Sequence, residues 1–124
     1  MRPEMIMLFV YNLDKGSLAD IRNHLHSTVS AQTPQCNLWA LISSPVGMKK
    51  SWKRFTSELG VPVQYLYRDE FAVEFGPLKF PFPAVYLKVG ETLKVMITSE
   101  EINRCAATDD LIAIVNKRLE QILQ

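Results

Sequence analysis

Two runs late in the chain, Ala84 to Val89 and Thr92 to Ile97, are rich in β-forming residues and are separated only by Gly90-Glu91. A two-residue loop with glycine in first place is what a type II′ hairpin turn prefers, so the two runs read as adjacent antiparallel strands. That hairpin is the tightest constraint in the sequence, because it weighs against a purely parallel sheet. Ile6 to Tyr11 is a further apolar segment and reads as a buried first strand, running into Asn12-Leu13-Asp14-Lys15-Gly16, which has the composition of a turn.

Helical spacing follows. Ser17 can cap a helix whose apolar residues Leu18, Ile21, Leu25 and Val29 share one face, with Asp20 in its first turn, and Ala31 to Gln35 end it at Pro34. Asn37 to Ile42 reads as a second buried strand, and Ser43 to Gly47 as a loop. Met48, Trp52, Phe55 and Leu59 form one helical stripe, which Gly60 and Pro62 stop. Val61 to Tyr67 reads as a third extended segment. Arg68 to Pro81 reads as a long packed connection holding Phe71, Val73, Phe75 and Phe80. After the hairpin, Thr98 or Ser99 opens a short helix with Glu100 and Glu101 in its first turn. Thr108 to Asp110 caps a last helix with a broad apolar face at Leu111, Ile112, Ile114, Val115, Leu119 and Ile122.

Two βα units, a connection, a β-hairpin and a terminal helix, with a proline just before the hairpin, resemble the thioredoxin-like fold over nearly the whole chain. Phe82-Pro83-Ala84-Val85-Tyr86-Leu87-Lys88-Val89-Gly90 looks like that family's cis-proline, strand and glycine turn. The resemblance implies an α/β three-layer sandwich: a central mixed sheet of four or five strands, a C-terminal β-hairpin and flanking helices. It also implies that Pro83 sits beside the site. A flavodoxin-like sheet, with Val61 to Tyr67 as a third parallel strand, is the alternative, and the hairpin weighs against it. The family's Cys-x-x-Cys belongs where this chain has Asn12 to Ser17, so dithiol exchange is not expected.

A chain of 124 residues fits one domain, residues 1–124, and can bury a core without disulfides or metal. Nearly half the residues are apolar (48%), and acids and bases almost cancel at a net charge of +1, so no polyanion-binding surface is indicated overall. The longest apolar run, Met5 to Val10, is far shorter than the roughly 20 residues that span a bilayer. No signal peptide is expected, the chain is expected to begin near Met1, and two cysteines far apart in sequence fit free thiols in the cytoplasm.

Candidate site residues are few. Open α/β sheets place ligands at the carboxyl ends of parallel strands, which points to Tyr11, Asn12, Asp14, Lys15 and Ser17. Backbone N–H groups there, aided by Lys15, can hold a small anion, although the stretch lacks a phosphate-binding loop's glycines. Pro83 joins them through the resemblance. Cys36 is the candidate for a monothiol redox or thiol-transfer reaction, against its reading as a packing residue; Cys105 reads as a helix-packing residue. His24 and His26, two apart on a helix, point to different faces, and no metal site is expected. Lys49, Lys50, Lys53 and Arg54 surround Trp52, but the spacing that buries Trp52 turns the charges outward, so they read as a solvated face rather than a nucleic-acid site. Asp69 and Glu70 beside Arg68 read as surface charge rather than an acid/base pair. The expected function is a binding or interaction module for a protein or small molecule, with no cofactor, or a dimer joined through the hairpin edge or the aromatic-rich connection. The alternative is the Cys36 enzyme.

Overall fold

The computed structural model describes residues 4–15, 36–76 and 81–123. Its centre is a four-stranded mixed sheet formed by β1 (Met5–Val10), β4 (Val63–Leu66), β5 (Ala84–Val89) and β6 (Thr92–Ile97) in the order β4-β1-β5-β6. β1 runs parallel to β4, with Met7 beside Val63 and Val10 beside Leu66. It runs antiparallel to β5, with Met5 opposite Val89 and Val10 opposite Ala84. β5 and β6 form the expected hairpin, and Gly90 takes its first turn position at φ +60°, a conformation glycine adopts without a Cβ clash.

β1 is apolar along its length because it is covered on both faces. Met7, Phe9 and Tyr11 point into one core with Val85 and Leu87 of β5, while Leu8 and Val10 point into another with Ala84 and Tyr86. The first core is closed by four helices: α1 (Asn37–Ile42), α2 (Lys50–Ser57), α4 (Ser99–Asn103) and α5 (Thr108–Leu123). The second is closed by α3 (Arg68–Phe75), through Phe71 and Phe75. The chain is therefore α/β, with helices on both faces of a mixed sheet. None of the described helices is long and apolar enough to cross a membrane.

Two segments differ from the sequence reading. Asn37 to Ile42 is a helix and not a second strand. Its buried residues are Leu38, Leu41 and Ile42, a helical i, i+3, i+4 set inside a run too short and too uniformly apolar for periodicity to separate from a strand. The place beside β1 goes instead to Val63–Leu66. Ser43–Ser44 (β2) and Gly47–Met48 (β3) then pair across Pro45-Val46 as a small ribbon rather than a loop. The second difference is α3, which occupies the first half of the expected connection. Asp69 and Glu70 lie in its first turn, where acids suit the helix dipole, and the Glu70 carboxylate accepts the Tyr67 N–H at 3.0 Å. Phe71 is buried and stacks on Tyr86 (centroids 4.9 Å apart), whereas Val73 points into solvent. Residues 16–35, which hold the expected first helix with Ser17, His24 and His26, and residues 77–80 lie outside the described residues.

The helix expected from Met48 starts at Lys50, because Met48 pairs in β3, whereas α4 and α5 start as their sequences predict. Thr98 accepts the Glu101 N–H and Glu101 accepts the Thr98 N–H, a reciprocal capping box. Asp110 accepts the N–H groups of Ala106 and Ala107 ahead of α5. Along α5, Leu111, Val115 and Leu119 are buried, while Ile122 is exposed.

Candidate functional site

Three chain segments meet at one end of the sheet. The parallel register of β1 and β4 brings their carboxyl ends level, and the antiparallel register of β5 brings its first residue to the same level. Tyr11, Tyr67 and Pro83 are the residues one step beyond those ends. The Phe82–Pro83 peptide is cis, and Pro83 itself is buried.

Hydrogen bonds lock the β1 loop to the β4 loop. Tyr11 donates its N–H to the Leu66 carbonyl at 2.9 Å, and Arg68 donates its N–H to the Leu13 carbonyl at 2.8 Å. The Arg68 guanidinium grips Asp14 through two bonds, Nε to Oδ1 at 3.1 Å and Nη2 to Oδ2 at 3.0 Å, and reaches Asn12 Oδ1 with Nη1 at 3.3 Å. The Asp69 carboxylate accepts the Lys15 N–H at 3.0 Å. Asp14 and Arg68 are each about half exposed (48% and 46%), so this pair faces solvent and fixes geometry more than it adds stability. The guanidinium hydrogen bond holds the Asp14 carboxyl below the usual aspartate range.

Beneath this polar rim lies an aromatic layer. Tyr11 stacks on Tyr65 (centroids 6.4 Å apart, 14° between planes) and packs against Tyr67 at 5.4 Å; Phe9 continues the layer to Trp52, whose Nε1 donates to the Tyr65 hydroxyl at 2.8 Å. Burial, aided by Tyr65, Tyr67 and Cys36, pushes the Tyr11 phenol well above its ordinary value, so it stays neutral. On the opposite face of the sheet, at the same end of β5, Pro81, Ala84, Tyr86, Val95, Thr98 and Ser99 line an almost wholly apolar cavity of about 200 Å³.

Cys36 sits under the rim. Its Sγ accepts the Asn12 N–H at 3.3 Å, and the residue is 2% exposed within the larger core. Burial raises its pKa, against smaller lowering contributions from the N–H groups of Trp39, Asn12 and Leu38. Cys105 is likewise buried, with its Sγ directed to the Glu101 carbonyl, and both cysteines are free thiols. Cys36 is the N-cap of α1, where N–H groups favour the thiolate, but burial outweighs them, and neither thiol has the exposure an activated thiolate needs. Among the described residues, no three His, Cys, Asp or Glu side chains are placed to hold a metal.

The structure thus gathers Tyr11, Asn12, Asp14 and Lys15 with Pro83, and sets Cys36 below them, while Ser17 lies outside the described residues. Sequence reasoning left Tyr67 and Arg68 out of the site. The signal was their position directly after an extended segment, the same signal that pointed to the β1 loop. It went unused because no sequence rule says that β4 lies beside β1. Scans of protein-family models, of curated proteins and of solved structures find no match to this chain.

Proposed function

We propose that residues 1–124 form one thioredoxin-like domain without dithiol chemistry, working in the cytoplasm, which binds a protein or small-molecule ligand at the rim made by Asn12, Asp14, Lys15, Arg68 and Pro83. The observation that carries this reading is the strand order β4-β1-β5-β6, with β1 parallel to β4, a hairpin of β5 and β6, and Pro83 at the start of β5. In the family this chain resembles, that arrangement sets a proline beside the active site. Here the facing loop offers Asn12, Asp14 and Lys15 where the dithiol would stand.

A rim already locked by Arg68 and Asp69 loses little conformational freedom when it binds, which favours recognition. The burial and raised pKa of Cys36 weigh against a monothiol reaction. The test pairs two assays on the full chain. Reduction of a disulfide-bonded protein by dithiothreitol should proceed no faster with the chain than without it. A panel of small polar fragments and tripeptides, screened by two-dimensional amide NMR, should shift the resonances of Asn12, Asp14, Lys15, Arg68 and Ala84 together. Catalysed reduction, or fragment shifts that never touch those amides, would overturn the reading.

A further inference from the structure

Lys50, Lys53 and Arg54 of α2 and its N-cap Lys49 are not used by the rim, and Lys50 and Arg54 line a separate cavity. Lys50, Arg54 and Glu58 follow one another at i, i+4 along α2, and Ser51 and Phe55 form the next row. These five side chains and Ile112 of α5 enclose a recess of about 470 Å³. That volume lies in the roughly 300–1,000 Å³ range of small-molecule sites. Its floor is apolar, from half-buried Phe55 and Ile112, and one side is positive, with Lys50 in the first turn of α2 and Arg54 in the last.

The charge there is poorly compensated. Among the described residues, neither Lys50 nor Arg54 has an ion-pair partner. α2 has no acidic residue in its first turn, so Lys49 and Lys50 oppose the helix dipole. Lys49 is held in place by donating its Nζ to the Thr108 hydroxyl at 3.1 Å, and Lys53 adds a further exposed charge. Of the two first-turn acids of α5, Asp110 is turned to the Ala106 and Ala107 N–H groups, and Asp109 is not among the residues that line the recess. An anion held between Lys50 and Arg54 would relieve the repulsion between two like charges at i, i+4, and at Lys50 it would also offset the first-turn dipole mismatch; Arg54, in the last turn, already suits the dipole.

We propose that this recess is a binding site for a small organic anion with an apolar body: the anionic group lies against Lys50 and Arg54, and the body lies on Phe55 and Ile112. Glu58 lines the other end and sets the orientation, because it repels the head group.

Phenyl phosphate is the probe, with inorganic phosphate as the head alone and benzyl alcohol as the body alone, followed by amide NMR of the full chain. Phenyl phosphate should shift Ser51, Arg54 and Ile112 saturably, and added salt should weaken it. Inorganic phosphate should bind the same end about tenfold more weakly, and benzyl alcohol should not saturate. Arg54→Gln and Lys50→Gln should each weaken phenyl phosphate about tenfold, as loss of a charge-assisted contact predicts. Glu58→Gln should tighten it. All three side chains are exposed, so each variant should fold, which circular dichroism checks. The proposal is overturned by an absence of saturable shifts at these amides, by equal affinity for the two phosphates, or by a Lys50→Gln/Arg54→Gln double variant that binds as tightly as the parent chain. The amides read here are not those of the Asn12–Arg68 rim, so either site can fail alone.

Discussion

Asn37 offers a substitution whose sign separates two physical accounts of α1. Its Nδ2 donates to the Ile102 carbonyl at 2.7 Å and to the Cys105 carbonyl at 3.0 Å, tying the start of α1 to the end of α4. Removing the amide with Asn37→Ala deletes two hydrogen bonds worth roughly 0.5–1.5 kcal/mol each, and the half-buried position places the total near the lower end, at about 1–2 kcal/mol. Asn37→Asp removes the same donor and sets a carboxylate oxygen against two carbonyl oxygens. If α1 were governed by its own dipole, a negative charge in the first turn would help by roughly 0.3–1 kcal/mol, and the aspartate would outrank the alanine. If the bridge to α4 governs it, the aspartate is the worse of the two by about 1 kcal/mol, because a partly buried charge facing acceptors costs more than a missing bond. Urea unfolding followed by tryptophan fluorescence measures this directly: Trp52 is fully buried with its ring edge-on to Phe9, and Trp39 lies on α1 itself. The expected order of stability is parent, then Asn37→Ala, then Asn37→Asp. The midpoint temperature of the alanine variant should fall by about 4–8 °C. An aspartate variant as stable as the alanine variant would refute the bridging argument.

Three further outcomes can be checked. Arg68→Ala should accelerate amide hydrogen exchange at Asn12 to Lys15 and leave global unfolding almost unchanged, since the Arg68–Asp14 pair is exposed; unaltered exchange there would mean that the backbone bonds alone hold the loop. Iodoacetamide should label Cys36 and Cys105 only in denaturant, because burial raises both thiols; rapid labelling of native Cys36 at neutral pH would revive the monothiol reaction. For Glu101, burial works to raise the pKa, but the Thr98 N–H and hydroxyl and the Arg118 guanidinium outweigh it and leave the carboxyl below its ordinary value. A carboxyl with a lowered folded-state pKa stabilises above its unfolded value and loses that contribution as pH falls through the folded value. The acid limb of stability below about pH 4 should therefore be shallower in Glu101→Gln than in the parent, and an identical limb would remove Glu101 from the account.

What could be read from the sequence depended on whether a residue's role was set by its neighbours along the chain. Gly90, Thr98 and Asp110 were legible because turn and cap chemistry is local. Trp52 was legible because Phe55 lies three residues on along the same helix, although the expected stripe overran it at both ends: Met48 belongs to β3 and Leu59 lies beyond the C-cap Glu58. Asn37 to Ile42 was not, because its helix is defined by contacts with α4 and α5 far along the chain, and a six-residue apolar run carries no period of its own. Phe71 was expected to pack, but its helix α3 hid for the same reason: half its residues are polar, and the burial of Phe71 comes from Tyr86 and Phe82. The site was half visible. The β1 loop could be found by its place after a strand, but the pairing of Asp14 with Arg68 spans 54 residues and exists only once β4 has docked.

β1 lies between β4 and β5, both later in the chain, so it leaves the ribosome with both of its neighbours still unmade. Its partner residue Leu66 lies more than fifty residues beyond Val10, and Ala84 more than seventy. At synthesis rates of about 5–20 residues per second, Met5–Val10 waits roughly 4–17 s before the hairpin, which ends at Ile97, has been translated. Through that interval six consecutive apolar residues have no sheet to enter. The hairpin and α5 can form locally, but β1 can join the sheet only by a long-range closure, which slows folding for a chain of this size. A polar substitution in β1 should therefore lower aggregation during translation even as it weakens the finished protein.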